Sequence, residues 1–164
     1  MAFKREHLES WLATEVAGDT LVSYVVTQAG RVDTGQTGTT ANHGDRQRDA
    51  FAETLDLEFP YGSGWNSTFY ALTNRQLLLG TRSGMRNRPK ELLHRAPIEQ
   101  VTVHWFDHDE GSGNRFRHFV TDFGDGTGRV DRSGLTALGR QVKSSNADHF
   151  LDALGEHARR LPLS

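Results

Sequence analysis

The chain has 164 residues, 35% of them hydrophobic, which is enough for one domain with one core and leaves no length for a second. Nineteen Lys and Arg residues stand against 21 Asp and Glu, a net charge of -2, so long-range attraction to nucleic acid or an anionic membrane is not built in and a partner must be recognised locally. There is no cysteine, which excludes a disulfide framework, a thiolate zinc site and a cysteine nucleophile and suits a reducing compartment.

The N-terminus is charged from Lys4 onward and holds no apolar run of about 7 to 15 residues, so it does not read as a signal peptide. No stretch reaches the roughly 18 apolar residues that a membrane helix needs, and a cytoplasmic location is expected. Leu8, Trp11, Leu12 and Val16, at spacings of three and four, predict an N-terminal helix within residues 1–18, stopped at Gly18. Leu21 to Val26 is β-branched and aromatic on both faces and predicts a central strand. From Gln28 to Asp49 the chain is Gly-, Thr-, Asp- and Asn-rich and reads as one long loop. Leu55, Leu57 and Phe59 alternate with acids as a half-buried strand would, up to Pro60 and the glycines after it.

Phe69–Leu72 and Gln76–Leu79 flank Thr73-Asn74-Arg75, two strands about a tight turn in which Asn74 could take a positive φ. An Arg-rich loop from Ser83 to Arg88 precedes a strand at Glu91–His94. Val101, Val103 and Trp105 then alternate with Thr102, His104 and Phe106 in another. Gly111-Ser112-Gly113 turns the chain, and Phe116, His118 and Val120 alternate with Arg115, Arg117 and Phe119. Asp125-Gly126 signals a hairpin, and Thr127 to Asp131 forms the last strand of a β region spanning 20–131. Residues 133–144 fit neither period. Ser145 to Asp148 has capping-box spacing ahead of Phe150, Leu151, Leu154, Ala158 and Leu161, which predicts a helix over 145–161 ended by Pro162.

Phe69-Tyr70-Ala71-Leu72-Thr73-Asn74-Arg75-Gln76-Leu77-Leu78-Leu79 resembles the hairpin of bacterial pleckstrin-homology-like domains, and Pro97-Ile98-Glu99-Gln100-Val101 resembles the segment that follows it there. The resemblance implies a single α+β, mainly β domain over 1–164. Its form would be a small barrel or sandwich of about seven antiparallel strands with an N-terminal helix, its open end stoppered by a C-terminal capping helix. Members that bind phosphoinositides carry basic residues in the first inter-strand loop. Here Arg31, Arg46 and Arg48 are diluted by Asp33, Asp45 and Asp49, so that headgroup site does not carry over.

The strongest charge feature is residues 74–95, where Arg75, Arg82, Arg86, Arg88, Lys90 and Arg95 face Glu91 alone. If the loop arginines converge, their guanidinium forks could hold a phosphate or carboxylate. The leading expectation is therefore a non-catalytic binding or scaffold module that recognises a protein, a peptide or an anionic small molecule through Arg75, Arg82, Arg86, Arg88 and Lys90, without nucleic acid. A rival is a hydrolase or lyase using His104, Asp107, His108 and Asp109 as acid/base or metal groups. On a strand, however, His104 and His108 stand about 13 Å apart. A third reading is a self-associating structural subunit, such as a homodimer. Asp122 to Gly128 lacks the oxygen ligands of a calcium loop. No nucleophile elbow, phosphate loop or dinucleotide fingerprint occurs, so no cofactor is expected. Trp65, between flexible residues, reads as the one exposed tryptophan.

Overall fold

A computed structural model describes residues 2–29, 43–61 and 67–162. They form α1 (Arg5–Glu15), β1 (Leu21–Gln28), α2 (His43–Glu53), β2 (Ser67–Thr73), β3 (Gln76–Arg82), β4 (Pro89–Pro97), β5 (Thr102–Asp109), β6 (Arg115–Asp122), β7 (Gly128–Ala137), β8 (Arg140–Gln141), α3 (Ala147–Leu154) and β9 (Ala158–Arg160). The class is α+β and mainly β. Among these residues no helix is long and apolar enough to cross a membrane.

The strands follow the order β4-β3-β2-β1-β7-β6-β5-β9, with β8 hydrogen-bonded to β7. Every pairing is antiparallel except β5 with β9, which is parallel. β1 and β7 share a single register pair, Gln28↔Arg132, so the sheet is hinged there into two halves. Val25, Tyr70, Leu72, Leu77 and Leu79 of one half share a core with Val103 and Phe119 of the other, and α3 adds Ala147, Phe150 and Leu154. Phe150, wholly buried, stacks on Tyr70 at 6.0 Å and meets Phe119 edge-on at 6.2 Å.

The expectation of about seven antiparallel strands closed into a barrel is corrected. Among the described residues there are nine strands, the sheet is mixed, and its path ends at β4 and β9 without joining them. The cause lies at the C-terminus. Gly155, at φ +55, ends α3 after eight residues, and after a single 3-10 turn over Gly155–His157 the chain runs on as a strand along β5. Nor is there a capping box: Asn146 in the left-handed region precedes α3, Asp148 pairs with Arg117, and Ser145 Oγ donates to the carbonyls of Gly134 and Val142.

α1 lies on the outer face of the first half, where Phe3, Leu8, Leu12 and Val16 pack on Leu21, Phe69, Ala71 and Leu78. β2 and β3 are therefore buried on both faces, which is why their apolar runs are unbroken instead of alternating. Each fully buried Leu or Phe there contributes about 1.5–3 kcal/mol. Trp11 Nε1 donates to Lys90 O and the Tyr61 hydroxyl donates to Leu93 O, covering part of the exposed edge of β4.

α2 replaces part of the expected 28–49 loop; residues 30–42 lie outside the described ones. Its buried face is Gly44, Asp45, Arg48 and Ala52, polar and small, so apolar periodicity could not reveal it. The expected strand at 55–59 is reduced to a bridge between Glu58 and Thr127, because Asp56 adopts φ +52 and turns the chain. The β2–β3 turn does not place Asn74 at positive φ. Its amide instead donates to Thr20 O, its side chain accepts from Thr20 N, and Thr73 Oγ1 accepts from the amides of Arg75 and Gln76. Trp65 lies outside the described residues.

Candidate functional site

The five basic residues singled out in the sequence do not converge. Arg75 sits at the β2–β3 turn, 69% exposed and 3.9 Å from Asp19. Arg82 is at the other end of β3, roughly 20 Å along the strand. Its guanidinium is spent on the scaffold, with Nε on Thr68 O at 2.7 Å, Nη1 on Asn87 Oδ1 at 2.6 Å and Nη2 on Thr27 O at 2.9 Å. It ties three segments together and has no fork to offer a ligand. Arg86, Arg88 and Lys90 are exposed around the 83–88 turn, which Ser83 closes through Ser83 N to Arg88 O and Asn87 N to Ser83 O. They stand on an exposed turn.

The His/Asp segment on β5 is divided by the pleat. Asp107 takes a two-pronged contact from Arg117, Nε to Oδ1 at 2.7 Å and Nη2 to Oδ2 at 3.0 Å, on one side of the strand. His104 and His108 face α2 on the other. His104 meets Phe51 edge-on at 4.9 Å, and burial, with Arg159 adding to it, lowers its pKa. His108 lies between His43, at 6.0 Å, and His118, at 6.4 Å. Asp109 accepts the amide of Gly111 and shapes the β5–β6 turn. The strand therefore assigns these residues to separate neighbourhoods. Among the described residues no group of three or more His, Asp or Glu side chains is placed to hold a metal ion.

A cleft of about 570 Å³ lies where β6, β7 and β8 meet the start of α3. Alternation puts Arg115 and Arg117 on one face of β6, and the 141–149 segment adds Lys143, Asp148 and His149, with Leu135 and Val142 as apolar wall. Arg117 is committed: it holds Asp107, reaches Asp148 Oδ1 with Nη1 at 2.7 Å and lies 4.8 Å over the Trp105 ring. Asp148, the only carboxylate among the described lining residues, thus shares the Arg117 charge with Asp107. Arg115 and Lys143 are exposed and have no carboxylate at ion-pair distance among the described residues. His149 Nδ1 is 2.7 Å from Ser23 Oγ, which fixes the ring in the wall. Ala147, Asp148 and His149 at the start of α3 also line the cleft, and Asn146 provides no side-chain cap there. Two unspent cations, Arg115 and Lys143, give the cleft a positive character inside a protein of net charge -2.

The sequence reading missed this site because Lys143 falls in the stretch that fits neither period, while Arg115 and Arg117 are separated from it by more than twenty residues. The same-face spacing of Arg115 and Arg117 was the only signal available. No protein-family model matches the chain, and no curated protein is significantly similar to it.

Proposed function

We propose that this chain is a non-catalytic binding module with a pleckstrin-homology-like layout, which recognises an anionic group on a partner in the cleft between β6–β8 and α3. Two hinged antiparallel half-sheets with a terminal helix in their core support the layout. The observation that carries the binding reading is concavity combined with unspent positive charge. Ligands are held where a pocket surrounds them, and here Arg115 and Lys143 line a common space with Asp148, which shares the Arg117 charge with Asp107, so the two unpaired cations outnumber the remaining negative charge. Arg86, Arg88 and Lys90 carry comparable charge on an exposed turn, where contacts between solvated charges are worth little.

Titration of the labelled protein with inorganic tripolyphosphate at low salt, followed by amide chemical shifts, tests the assignment. The amides of Arg115, Lys143, Asp148 and His149 should move, and Arg115→Glu with Lys143→Glu should abolish the response. Arg86→Glu with Arg88→Glu should leave it intact. The opposite pattern would transfer the site to the β3–β4 turn.

A further inference from the structure

Leu138 is 82% exposed, and it does not lie in a loose loop. With Gly139 it makes the two-residue connection between β7 and β8, both at positive φ, Leu138 at +51 and Gly139 at +79. This is the hairpin geometry that favours asparagine followed by glycine, and a leucine is disfavoured in its first position by its own Cβ. The turn is also pinned. Leu138 N donates to Asn114 Oδ1 at 3.0 Å, Gly139 N donates to Gly113 O at 3.0 Å, and Thr136 Oγ1 donates to the same carbonyl at 2.8 Å. A Cβ on Gly113 would lie 2.2 Å from Gly139 N, so the two turns are pressed together. A strained backbone therefore presents a large apolar side chain rigidly to solvent, and nothing within the described fold benefits from it.

Leu138 adjoins the cleft directly. Gly139 and Gln141 belong to the cleft lining, and Arg140 between them is exposed and, like Arg115 and Lys143, without a carboxylate partner among the described residues. We infer that Leu138 is an anchoring prong at the rim of the cleft, and that the partner is an acidic peptide segment of another protein carrying an apolar residue that packs on it. The inference rests on the reading of the cleft as the anion site and adds the nature of the partner. Charge complementarity selects an acidic chain, and the cleft volume of about 570 Å³ suits a few residues of extended peptide. An anionic bilayer is the less favoured surface, because one leucine is too little apolar area for stable insertion.

Two acetylated hexapeptides of aspartate and glutamate, one with a central leucine and its twin with serine there, are titrated into the wild-type chain, Leu138→Asn, and Arg115→Glu with Lys143→Glu. The leucine peptide should bind the wild type about tenfold more tightly than its twin. Leu138→Asn should erase that difference while raising Tm by about 4 °C, since asparagine suits the turn. The paired charge reversal should abolish both affinities. Equal binding of the two peptides to the wild type overturns the role of Leu138 and leaves the cleft reading standing; no binding of either peptide overturns both. A fall in Tm for Leu138→Asn would make Leu138 a structural residue and defeat the inference. So would Leu138-dependent sedimentation with phosphatidylserine vesicles in place of peptide discrimination.

Discussion

Replacing His118 with asparagine should flatten the dependence of stability on pH below neutrality. His118 is completely buried on β6, stacked on Phe106 with ring centroids 4.9 Å apart, and its Nε2 has no hydrogen-bond partner among the described residues. Burial first, then the charges of Arg48, Arg132 and the neighbouring His108, hold its pKa down to about 2. Asp45 Oδ1 is 3.5 Å from Nδ1, but Asp45 is engaged by Arg48 at 3.0 Å and by Arg132 at 3.5 Å, so its charge is largely spent. In the unfolded chain the imidazole titrates near its ordinary value of about 6.5. Between about 6.5 and 2 the unfolded state therefore binds a proton that the folded state refuses. The stability held by neutral His118 is complete above 6.5 and is lost at about 1.4 kcal/mol for each unit of falling pH. From pH 7.5 to 4.5 the loss is about 2.7 kcal/mol. That figure requires only that the folded value lie well below 4.5. His104, whose pKa is also lowered by burial, and the carboxylates contribute slopes of their own, so the comparison with the variant isolates His118. Asparagine keeps a polar atom near the Nδ1 position and does not titrate, at the cost of a small cavity of about 1–2 kcal/mol. Urea unfolding followed by tryptophan fluorescence at half-unit steps from pH 7.5 to 4.5 should show the variant less stable at pH 7.5 and the two curves crossing near pH 5. Parallel curves would refute the claim that His118 is buried neutral beside two arginines.

A methyl group on Gly44 would lie 2.7 Å from His118 Nε2 and 2.8 Å from two carbons of the His108 ring. Gly44→Ala should therefore destabilise by about 1–3 kcal/mol in chemical unfolding, although alanine is the better helix former by about 1 kcal/mol, because α2 must lift from the sheet. Arg129, fully buried, donates from Nε to Asp131 Oδ2 at 2.9 Å, from Nη1 to Tyr61 O at 2.8 Å and from Nη2 to Thr68 Oγ1 at 3.0 Å. Arg129→Met should cost about 3–5 kcal/mol by leaving the Asp131 charge unpaired in the core, and adding Asp131→Leu should recover part of the loss in thermal unfolding. Burial already raises the Asp131 pKa despite its partner, so the deficit of the single variant should shrink as the pH falls and the carboxyl takes up a proton.

The elements legible in the sequence were those whose side chains report burial directly. The apolar stripe of α1, the two-face apolar runs of β2 and β3, and the strands β5 and β6 all appear where the pattern placed them, although β6 is buried on both faces from Arg117 to Thr121. What escaped was built from polar residues or from backbone. α2 buries Asp45 and Arg48 against a histidine face, and its pattern resembles a solvated loop until that face is known. β7 was expected to end near Asp131 but continues to Ala137, because Ser133 and Thr136 satisfy their hydroxyls on Val26 O and Gly113 O, partners remote in sequence. The disposition of the arginines was hidden for the same reason. A cluster of arginines in sequence says nothing of whether each guanidinium is already bonded, and Arg82 proves to be a brace while Arg86 and Arg88 stand apart on a turn.

Composition and side-chain period by themselves determined the class of this protein: α+β, mostly β, with an amphipathic helix near each end, because the hydrophobic effect acts on every residue according to its own face. Tertiary structure alone decided that the sheet stays open, that α3 stops at Gly155 so β9 can pair with β5, and that Arg115 and Lys143 meet across a cleft. Those outcomes depend on pairings between residues far apart in the chain. A local pattern carries no information about which distant backbone or charge it will face.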